Sequence, residues 1–312
     1  MVKKILGILL AFAMVTLQGC DMKNEEIRFG AAKEGGMYYN FSNSFANTVS
    51  DNDKYTFDIK ETAGSVANLR LLSKGYVDLA IAQADLIYDA YNGAGEFKDN
   101  EYKGYTAIAG LYTEACQIVV RADSNIENID ELQGKKVSIG EKESGSEKNA
   151  KQILKAYGLT DDLIETVNLD YKTAADKLKS GEIDGFFFTA GVKTDFVEEL
   201  AKQCSIKLLS IEENKMNKIM YNCDYYEKYT IPANTYNGQS YDVTTIGVQA
   251  VLLASDKLEE SIVYNITKQL YENKDRIKLD NLIDFKLDIE KATAGVPIKF
   301  HSGAEKYYKE VK

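Results

Sequence analysis

Two short stretches of the chain share one arrangement of strand, glycines and helix, and this repeat limits the fold more than any other feature. IRFGAAKEGGMYYN lies in the first half of the chain, and VSIGEKESGSEKNAKQIL lies in the second. Gly30 is followed five residues later by Gly35, and Gly140 by Gly145. In both stretches an apolar run ends at the first glycine and a helical pattern begins after the second. Because such loops commonly hold anions on backbone N–H groups, the repeat indicates an anion site.

A second pair of stretches continues the repeat. LLSKGYVDLAIAQAD and KLKSGEIDGFFFTAG share a helix, a glycine, an aspartate and a short apolar strand, so that Gly75 and Asp78 match Gly181 and Asp184. The copies are separated by 110 residues for the loops and by 106 for these units. Each glycine alone could be a left-handed helix C-cap. The shared order predicts two lobes of similar βαβ design.

The remaining apolar patterns complete an α/β chain of two lobes around a cleft. The expected strands are YTFDIKE and residues 106–111, 115–121, 206–211 and 244–254, and the expected helices lie near residues 65–74, 171–180, 194–203 and 259–272. We interpret the long strand at 244–254 as the return crossing from the second lobe to the first. The first lobe then comprises residues 25–121 and 243–312, and the second lobe residues 122–242. Two parallel sheets joined by two crossing strands place their carboxyl ends across a cleft, where ligands of open α/β sheets bind.

The first residues of the chain are typical of a lipoprotein signal peptide and not of a fold. Lys3 and Lys4 precede an apolar run that is shorter than the roughly 20 residues of a membrane-spanning helix, and Leu-Gln-Gly-Cys follows it. We expect removal of residues 1–19, lipid on Cys20 and a short tether at residues 20–24; an ordinary cleaved signal with a chance cysteine is the alternative. The lipid would hold the protein to the outer face of a bacterial cytoplasmic membrane, in the periplasm where the cell has two membranes.

The charge of the chain argues against nucleic acid as a partner. The formal net charge is −10, and removal of Lys3 and Lys4 with the signal makes it −12. Phosphate backbones repel such a protein.

Three cysteines follow the lipobox. Cys116 lies in an apolar run, where a free thiol behaves as a small hydrophobe. Cys204 and Cys223 could form a disulfide outside the cytoplasm, with a gain of roughly 3 kcal/mol in the chain-entropy model, or they could be two free thiols.

The chain offers little material for catalysis. His301 is the only histidine, which argues against His-dependent triads and histidine metal clusters. No Gly-Lys-[Ser/Thr] follows Gly35, so the loop is not a nucleotide P-loop. We therefore expect no enzyme, no metal and no cofactor. A carboxylate-based enzyme on the same fold stays open, with Glu34 and Asp85 as the acids at strand ends, which we interpret as a surface and a binding residue.

Five motifs in order resemble the TAXI-type solute-binding receptors of TRAP transporters: FGAAKEGGMYYN, ETAGSVANLRLLSKGYVDLAIAQADLIYDAYNG, VVRADSNIENIDELQGKKVSIG, IDGFFFTAGV and IPANTYNGQSYDV. The resemblance implies a type II periplasmic-binding fold and capture of a small carboxylate or amino acid, such as glutamate, glutamine or 2-oxoglutarate. It also implies delivery to the membrane subunits of a TRAP transporter; a ligand-binding lipoprotein that reports to a membrane sensor would carry the same sequence.

The chain departs from that family pattern in its loops. The first loop has Ala31, Ala32, Lys33 and Glu34 where small hydroxyl residues and glycine are usual, and Met37 replaces a threonine; Glu143 and Lys193 stand where a glycine and a proline are usual. The first lobe therefore offers fewer hydroxyl donors than the resemblance implies.

In the second lobe, the candidate ligand contacts come from a helix start and a strand end. Ser144, Gly145 and Ser146 begin a helix, so their N–H and hydroxyl groups could donate to a carboxylate. The alternative is an ordinary N-cap that serves only its own helix; the repeat and the resemblance favour the ligand. Thr189 and Gly191 end the strand that matches the third strand of the first lobe.

In the first lobe, the candidates follow strands and begin helices. Gln83 could donate to an acid or accept from an amine, and Asp85 could bind a ligand amino group or cap its helix. Thr62 and Ser65 flank the preceding strand-to-helix turn, and Ser65 could be only an N-cap. The remaining candidates are Gly36 in the first loop, Tyr39 in preference to its neighbour Tyr38, and Tyr236 in a glycine-flanked loop near the return crossing.

Arginine is scarce, and none falls within a glycine loop. The four are Arg28, Arg70, Arg121 and Arg276. We therefore predict that N–H and hydroxyl groups hold the ligand carboxylate without a bidentate guanidinium. Lys33 is the one cation placed to change this, and a solvated loop lysine is our preferred interpretation.

Overall fold

The computed structural model describes residues 25–50, 55–279, 282–283 and 285–311. The predicted signal peptide, the tether and the lipidated Cys20 lie outside the described residues. The strands are β1 (Glu25–Gly30), β2 (Tyr55–Lys60), β3 (Leu79–Gln83), β4 (Tyr105–Arg121), β5 (Lys136–Ser138), β6 (Glu165–Val167), β7 (Gly185–Ala190), β8 (Ile206–Leu208), β9 (Tyr226–Ile231) and β10 (Val243–Ser255). The helices are α1 (Met37–Ser50), α2 (Ser65–Ser73), α3 (Ala84–Asn92), α4 (Gly145–Tyr157), α5 (Tyr171–Ser180), α6 (Asp195–Gln203), α7 (Glu213–Tyr221), α8 (Glu260–Glu272) and α9 (Ser302–Val311).

The described strands form one sheet in the order β2-β1-β3-β10-β4-β7-β5-β6, with β8 beside β4 and β9 beside β10. The parallel set β2-β1-β3 is the sheet of the first lobe, and β7-β5-β6 is the parallel sheet of the second. The two long strands between them run antiparallel to each other. This is the predicted α/β fold of two βαβ lobes joined by two crossing strands, and the prediction is confirmed.

The first crossing strand differs from its prediction. Residues 106–111 and 115–121 form one strand, β4, of 17 residues, and not two. The polar pair Thr113 and Glu114 interrupts the apolar run, but Glu114 is buried and the strand continues through it. The carboxyl-terminal part of β4 pairs with β7 and β8, and the other crossing strand, β10, pairs with β3, β4 and β9. Since β4 and β10 each pair with strands of both lobes, their pairing does not assign them to one lobe. The lobe boundaries at 121/122 and 242/243 therefore stay a prediction.

Three apolar clusters support the lobes. One lies in the first lobe around Phe29 and Phe41, and another in the second lobe around Phe186 and Phe188. The third contains side chains from α2, α3, α4 and β7, and therefore packs the lobes against each other on one side. Burying a large apolar side chain contributes about 1.5–3 kcal/mol, so this shared cluster stabilises the contact between the lobes.

The sequence left open whether the second and third cysteines of the described chain form a disulfide or stay free thiols. Cys204 and Cys223 are both free thiols. Cys204 follows α6 and packs against the cluster of the second lobe, whereas Cys223 follows α7 and packs against the shared cluster. Of the two alternatives, the structure has the free thiols, because these two residues belong to different packing environments.

Candidate functional site

A cavity of 440 Å³ lies between the two lobes and is lined by the loops that the repeat predicted. Seven of the candidate residues line it: Gly36, Ser65, Gln83, Ser144, Gly145, Ser146 and Thr189. A volume of this size is typical of small-molecule sites, which span roughly 300–1,000 Å³.

The amino-terminal ends of α2 and α4 meet at this cavity from opposite lobes. The Ala67 amide in α2 donates to the carbonyl of Glu143 at 3.2 Å. Gly64 lies so close to Ser144 that an added β-carbon would be 3.6 Å from its Cα. Gly64 also has φ +119° and ψ −147°, a conformation that is nearly restricted to glycine. The turn before α2 therefore requires glycine, and this glycine brings the two helix ends together.

Amide donors at these helix ends face the cavity lining. The first amides of a helix have no acceptor inside it. In α4 the Ser144 Oγ accepts from the Glu147 amide at 3.1 Å, so the side chain of Ser144 caps its own helix. The amides of Gly145 and Ser146 make no hydrogen bond to another described residue. The helix thus presents two donors and the positive end of its dipole to a ligand.

The hydroxyl groups of the second lobe differ in their availability. Ser146 Oγ accepts from the Thr189 amide at 2.8 Å and lies 3.1 Å from the Tyr171 hydroxyl. Thr189 Oγ1 is buried, and its neighbour is the thiol of Cys116, which is only a weak hydrogen-bonding group. Thr189 is therefore the hydroxyl that a ligand could engage, whereas Ser146 holds the strand end in place.

Glu114 is the main functional group that the sequence analysis missed. It lies within β4 and is only 2 % exposed, and it lines the cavity. The Tyr38 hydroxyl donates to its Oε2 at 2.8 Å, and Gln83 donates a further side-chain hydrogen bond. Burial raises the pKa of the Glu114 carboxyl to about 8, although both hydrogen bonds oppose the rise. The signal that could have found it is a carboxylate inside an otherwise apolar strand.

Gln83 lies at the junction of the lobes. It is 2 % exposed, and its Oε1 has no partner among the described residues. A β-carbon built on Gly145 would lie 2.4 Å from the Gln83 amide group. Gly145 therefore has to be glycine for Gln83 to lie across the boundary between the lobes.

Five candidate residues do not line the cavity: Tyr39, Thr62, Asp85, Gly191 and Tyr236. Tyr39 is half-buried, and its neighbour Tyr38 lines the cavity in its place. The choice between these two tyrosines corrects the sequence prediction, because the helix directs Tyr38 toward β4 and Glu114.

Thr62 and Asp85 support the site from beneath it. The Thr62 hydroxyl lies 2.5 Å from the carbonyl of Ala31 and 2.7 Å from Asn68 Oδ1, so it holds the first loop. Asp85 is 2 % exposed, and its Oδ2 accepts from the Tyr226 hydroxyl at 2.6 Å. Burial raises the pKa of Asp85 to about 6. Both side chains are held inside the protein, although Asp85 Oδ1 has no hydrogen-bond partner among the described residues.

Tyr236 lies in the interior of the second lobe, and Gly191 lies where that lobe contacts residues 282–283 of the first lobe. A β-carbon on Gly191 would meet Leu282 at 2.4 Å, so the glycine makes room for a packed leucine. The Tyr236 hydroxyl donates to Gln117 Oε1 at 2.9 Å and accepts from the Thr194 amide at 3.2 Å. The ring is 2 % exposed and packs in the cluster of the second lobe.

Charges around the cavity are arranged by depth. Three exposed lysines line the cavity: Lys33, Lys172 and Lys179. Apart from the buried Glu114, the lining acids are exposed or half-buried: Glu34, Glu141, Asp170, Asp176, Asp195 and Glu199. Lys33 lies 3.6 Å from Glu61. Arg28, Arg70 and Arg121 pair with Asp78, Glu143 and Asp123, and no arginine is among the residues that line the cavity.

Ion pairs cross between the lobes beside the cavity. Arg70 of α2 lies 2.7 Å from Glu143, and Lys148 of α4 lies 3.2 Å from Asp89 of α3. The Arg70 pair is partly exposed and the Lys148 pair is more buried, so the second contributes more to holding the lobes together.

Within the described ranges, no group of three His, Cys, Asp or Glu side chains is placed to hold a metal ion. His301 lies away from the cavity and contacts the carbonyl of Leu258 through Nε2 at 3.1 Å. No described helix combines the length and the apolarity that crossing a membrane requires.

Two solved structures share this fold. MatC from Rhodopseudomonas palustris, solved with bound malate, is 14% identical with a TM-score of 0.59, and the match covers 92% of this chain and 96% of that one. A structure described as a periplasmic transporter is 14% identical with a TM-score of 0.57, over 92% of this chain and 93% of that one. At this identity the likeness shows the fold alone. Residues 29–311 match the NMT1-like family model, and the chain belongs to the NMT1-like family.

Proposed function

We propose that the protein is an extracytoplasmic solute-binding lipoprotein that captures a small carboxylate or amino acid and delivers it to a TRAP-type secondary transporter. The ligand class comprises glutamate, glutamine and dicarboxylates of four or five carbons such as 2-oxoglutarate. The proposal includes the lipid on Cys20, a location at the outer face of the cytoplasmic membrane, and the TRAP membrane subunits as partners. The observation that carries it is the meeting of two helix amino termini, α2 and α4, at one cavity between the lobes.

Two helix amino termini in one place favour an anion between them. Each end carries a partial positive charge, and its interaction with an anion contributes about 0.3–1 kcal/mol, or up to about 2 kcal/mol where it is partly buried. Without an anion the two ends repel each other weakly. A ligand carboxylate at Gly145 and Ser146 would accept two amide hydrogens and relieve that repulsion. Guanidinium groups are not needed for this mode of binding.

Closure of the two lobes would enclose the ligand. The two glycine loops belong to different lobes, and both line the cavity. The lobes are connected by β4 and β10, which allows a hinge motion around a fixed pair of strands. A micromolar dissociation constant for a ligand of about ten heavy atoms needs roughly −0.8 kcal/mol per atom, which near-complete enclosure can supply. The proposal assigns no catalytic residue.

A thermal-shift screen of the purified protein tests the binding function. Glutamate, glutamine, 2-oxoglutarate, succinate and fumarate form the panel. A ligand at about 100 times its dissociation constant should stabilise the protein by about 2.7 kcal/mol, a readily measured rise in melting temperature. No shift with any of these compounds, or turnover of one of them, would overturn the proposal.

The transporter partner is tested separately. Lipidated protein, loaded with the ligand found in the screen, should retain TRAP membrane subunits from solubilised host membranes. Recovery of a membrane sensor in their place would replace the transport function with a reporting function.

A further inference from the structure

The deep end of the cavity differs from the helix ends because it is made of hydrogen-bond acceptors. Glu114 is the one fully buried side chain among the described charged residues that line the cavity, at 2 % exposure. Gln83, equally buried, also lines the cavity, and its Oε1 has no partner among the described residues. The Ser65 Oγ beside them accepts from the backbone N–H of Gln83 at 3.2 Å.

This group of acceptors needs a donor from the ligand. A buried polar atom without a partner costs roughly 1–3 kcal/mol, and Gln83 Oε1 is such an atom. No protein cation reaches Glu114: the lining lysines are exposed, and the contacts of Glu114 in the described structure are the neutral groups of Tyr38 and Gln83. An ionised dicarboxylate has no hydrogen to donate to Gln83 Oε1 and would leave this buried acceptor unpaired.

We propose that Glu114 and Gln83 bind the protonated amino group of the ligand, so that the substrate class is an amino acid and not a dicarboxylate or oxo acid. This inference rests on the proposed binding function and narrows it. The ligand would then lie with its carboxylate at Gly145 and Ser146 and its ammonium group at Glu114. An ammonium group there satisfies Gln83 Oε1 and neutralises the only buried acid of the lining.

Glu114 would lose a proton when the amino group binds. Its pKa of about 8 in the empty cavity makes it mostly protonated at pH 7, and a bound ammonium group favours the ionised form. The titratable groups near it are Tyr38 of α1, Tyr112 of β4, Asp85 of α3 and Tyr171 of α5. Burial raises the pKa of all three tyrosines, so they stay neutral at pH 7. Glu114 is therefore the group expected to release the proton.

Calorimetry with matched ligand pairs tests the inference. The pairs differ only at the amino-bearing carbon: glutamate with 2-oxoglutarate, alanine with pyruvate, leucine with 4-methyl-2-oxopentanoate, and phenylalanine with phenylpyruvate. In each pair that binds, the amino acid should bind at least about 10-fold more tightly, the size of a charge-assisted hydrogen bond. An oxo acid that binds as tightly as its amino acid, or a dicarboxylate that binds more tightly than every amino acid, would overturn the inference and leave the binding function intact. Failure of every compound would overturn the binding function itself.

Two further measurements assign the preference to Glu114. Glu114→Gln should lose about 10- to 100-fold in amino-acid affinity and less than threefold in oxo-acid affinity. Glu61→Gln, an acid beside the site that does not line the cavity, is the matched control and should keep the full preference.

In the unaltered protein at pH 7, titrations in two buffers of different ionisation enthalpy should show release of close to one proton per amino acid bound. Binding without proton release would contradict the role of Glu114 and requires no variant to fold.

Discussion

The two glycine loops arise from the same sequence pattern but are held in different ways. In the second loop, Ser144 caps α4, Glu147 Oε2 accepts from the Glu143 amide at 2.9 Å, and Asn168 donates to the carbonyl of Gly140 at 2.8 Å. These bonds fix the loop from within its own lobe. The loop is in position before any ligand arrives.

The first loop is held at its base, and its exposed part makes a surface ion pair, between Lys33 and Glu61. Thr62 and Asn68 hold the carbonyl of Ala31, and the Gly36 amide donates to the carbonyl of Lys33 at 2.9 Å. Lys33, Glu34 and Gly35 are exposed. A repeated motif can therefore form one rigid and one adjustable half of a site. We expect the second loop to bind the carboxylate and the first loop to adapt around it.

Matched glycine substitutions in the two loops should give the largest difference in unfolding free energy. Gly140 has φ +94°, and a β-carbon there would lie 2.7 Å from the Ser146 side chain and 3.1 Å from the Glu147 amide nitrogen. Gly35 has φ +83° with open space around it. Gly140→Ala should therefore cost roughly 4 kcal/mol of unfolding free energy and Gly35→Ala about 1 kcal/mol. Urea unfolding measures both, and equal costs would show that the two loops are equally constrained.

The pH dependence of stability tests the buried acid of the first lobe, Glu114, which contacts Tyr38 and Gln83. Burial raises the pKa of Glu114 from 4.5 to about 8 and that of Asp85 from 3.8 to about 6. The folded protein therefore binds these protons more tightly than the unfolded chain, and stability is lost as the pH rises through the folded pKa values. Without ligand, stability should fall by about 2 kcal/mol per pH unit near pH 5.5, where both groups contribute, and by about 1 kcal/mol per pH unit near pH 7, where Glu114 dominates. Urea unfolding at four pH values should show a flatter profile for Glu114→Gln; an unchanged profile would contradict the assignment.

Removing the cap of the rigid loop should have an intermediate effect. Ser144→Ala leaves the Glu147 amide without its acceptor and should cost about 1 kcal/mol. Ser144→Asp restores an acceptor at the cap and should recover most of that loss in thermal unfolding. Equal destabilisation by both variants would mean that Ser144 acts through packing and not through the cap.

Lys33 in the adjustable loop should have the smallest effect. Its side chain is 50% exposed and pairs with Glu61, so solvent screens its charge. Lys33→Ala should change ligand affinity by less than about twofold, or about 0.4 kcal/mol. A larger loss in calorimetry would give this lysine a direct role in binding.

The fold could be predicted from the sequence because its signals are local. Glycine spacing, apolar runs and helical periodicity placed both βα units and the long return strand. The seven candidates that line the cavity followed from the same local pattern, since they lie at helix starts and strand ends.

The missed features depend on contacts between distant parts of the chain. Asp85 accepts a hydrogen bond from Tyr226, which lies 141 residues away in the sequence. Tyr236 donates one to Gln117, which lies 119 residues away. No local pattern reports such partners. Glu114 was missed for the same reason, because a polar residue in a strand is typical of a surface position, and its burial depends on contacts such as that with Tyr38, 76 residues away.

The shared strands also govern how the protein can be assembled. Tyr105 of β4 pairs with Ser255 of β10, so the central ladder closes only when segments about 150 residues apart meet. Such distant pairing slows folding because chain entropy is lost before the contacts form. The late strand β10 lies between the early strands β3 and β4, so the centre of the sheet is complete only when both halves of the chain are present. Unfolding should therefore be a single concerted event, and a chain cut between the halves should yield fragments that regain structure only when mixed.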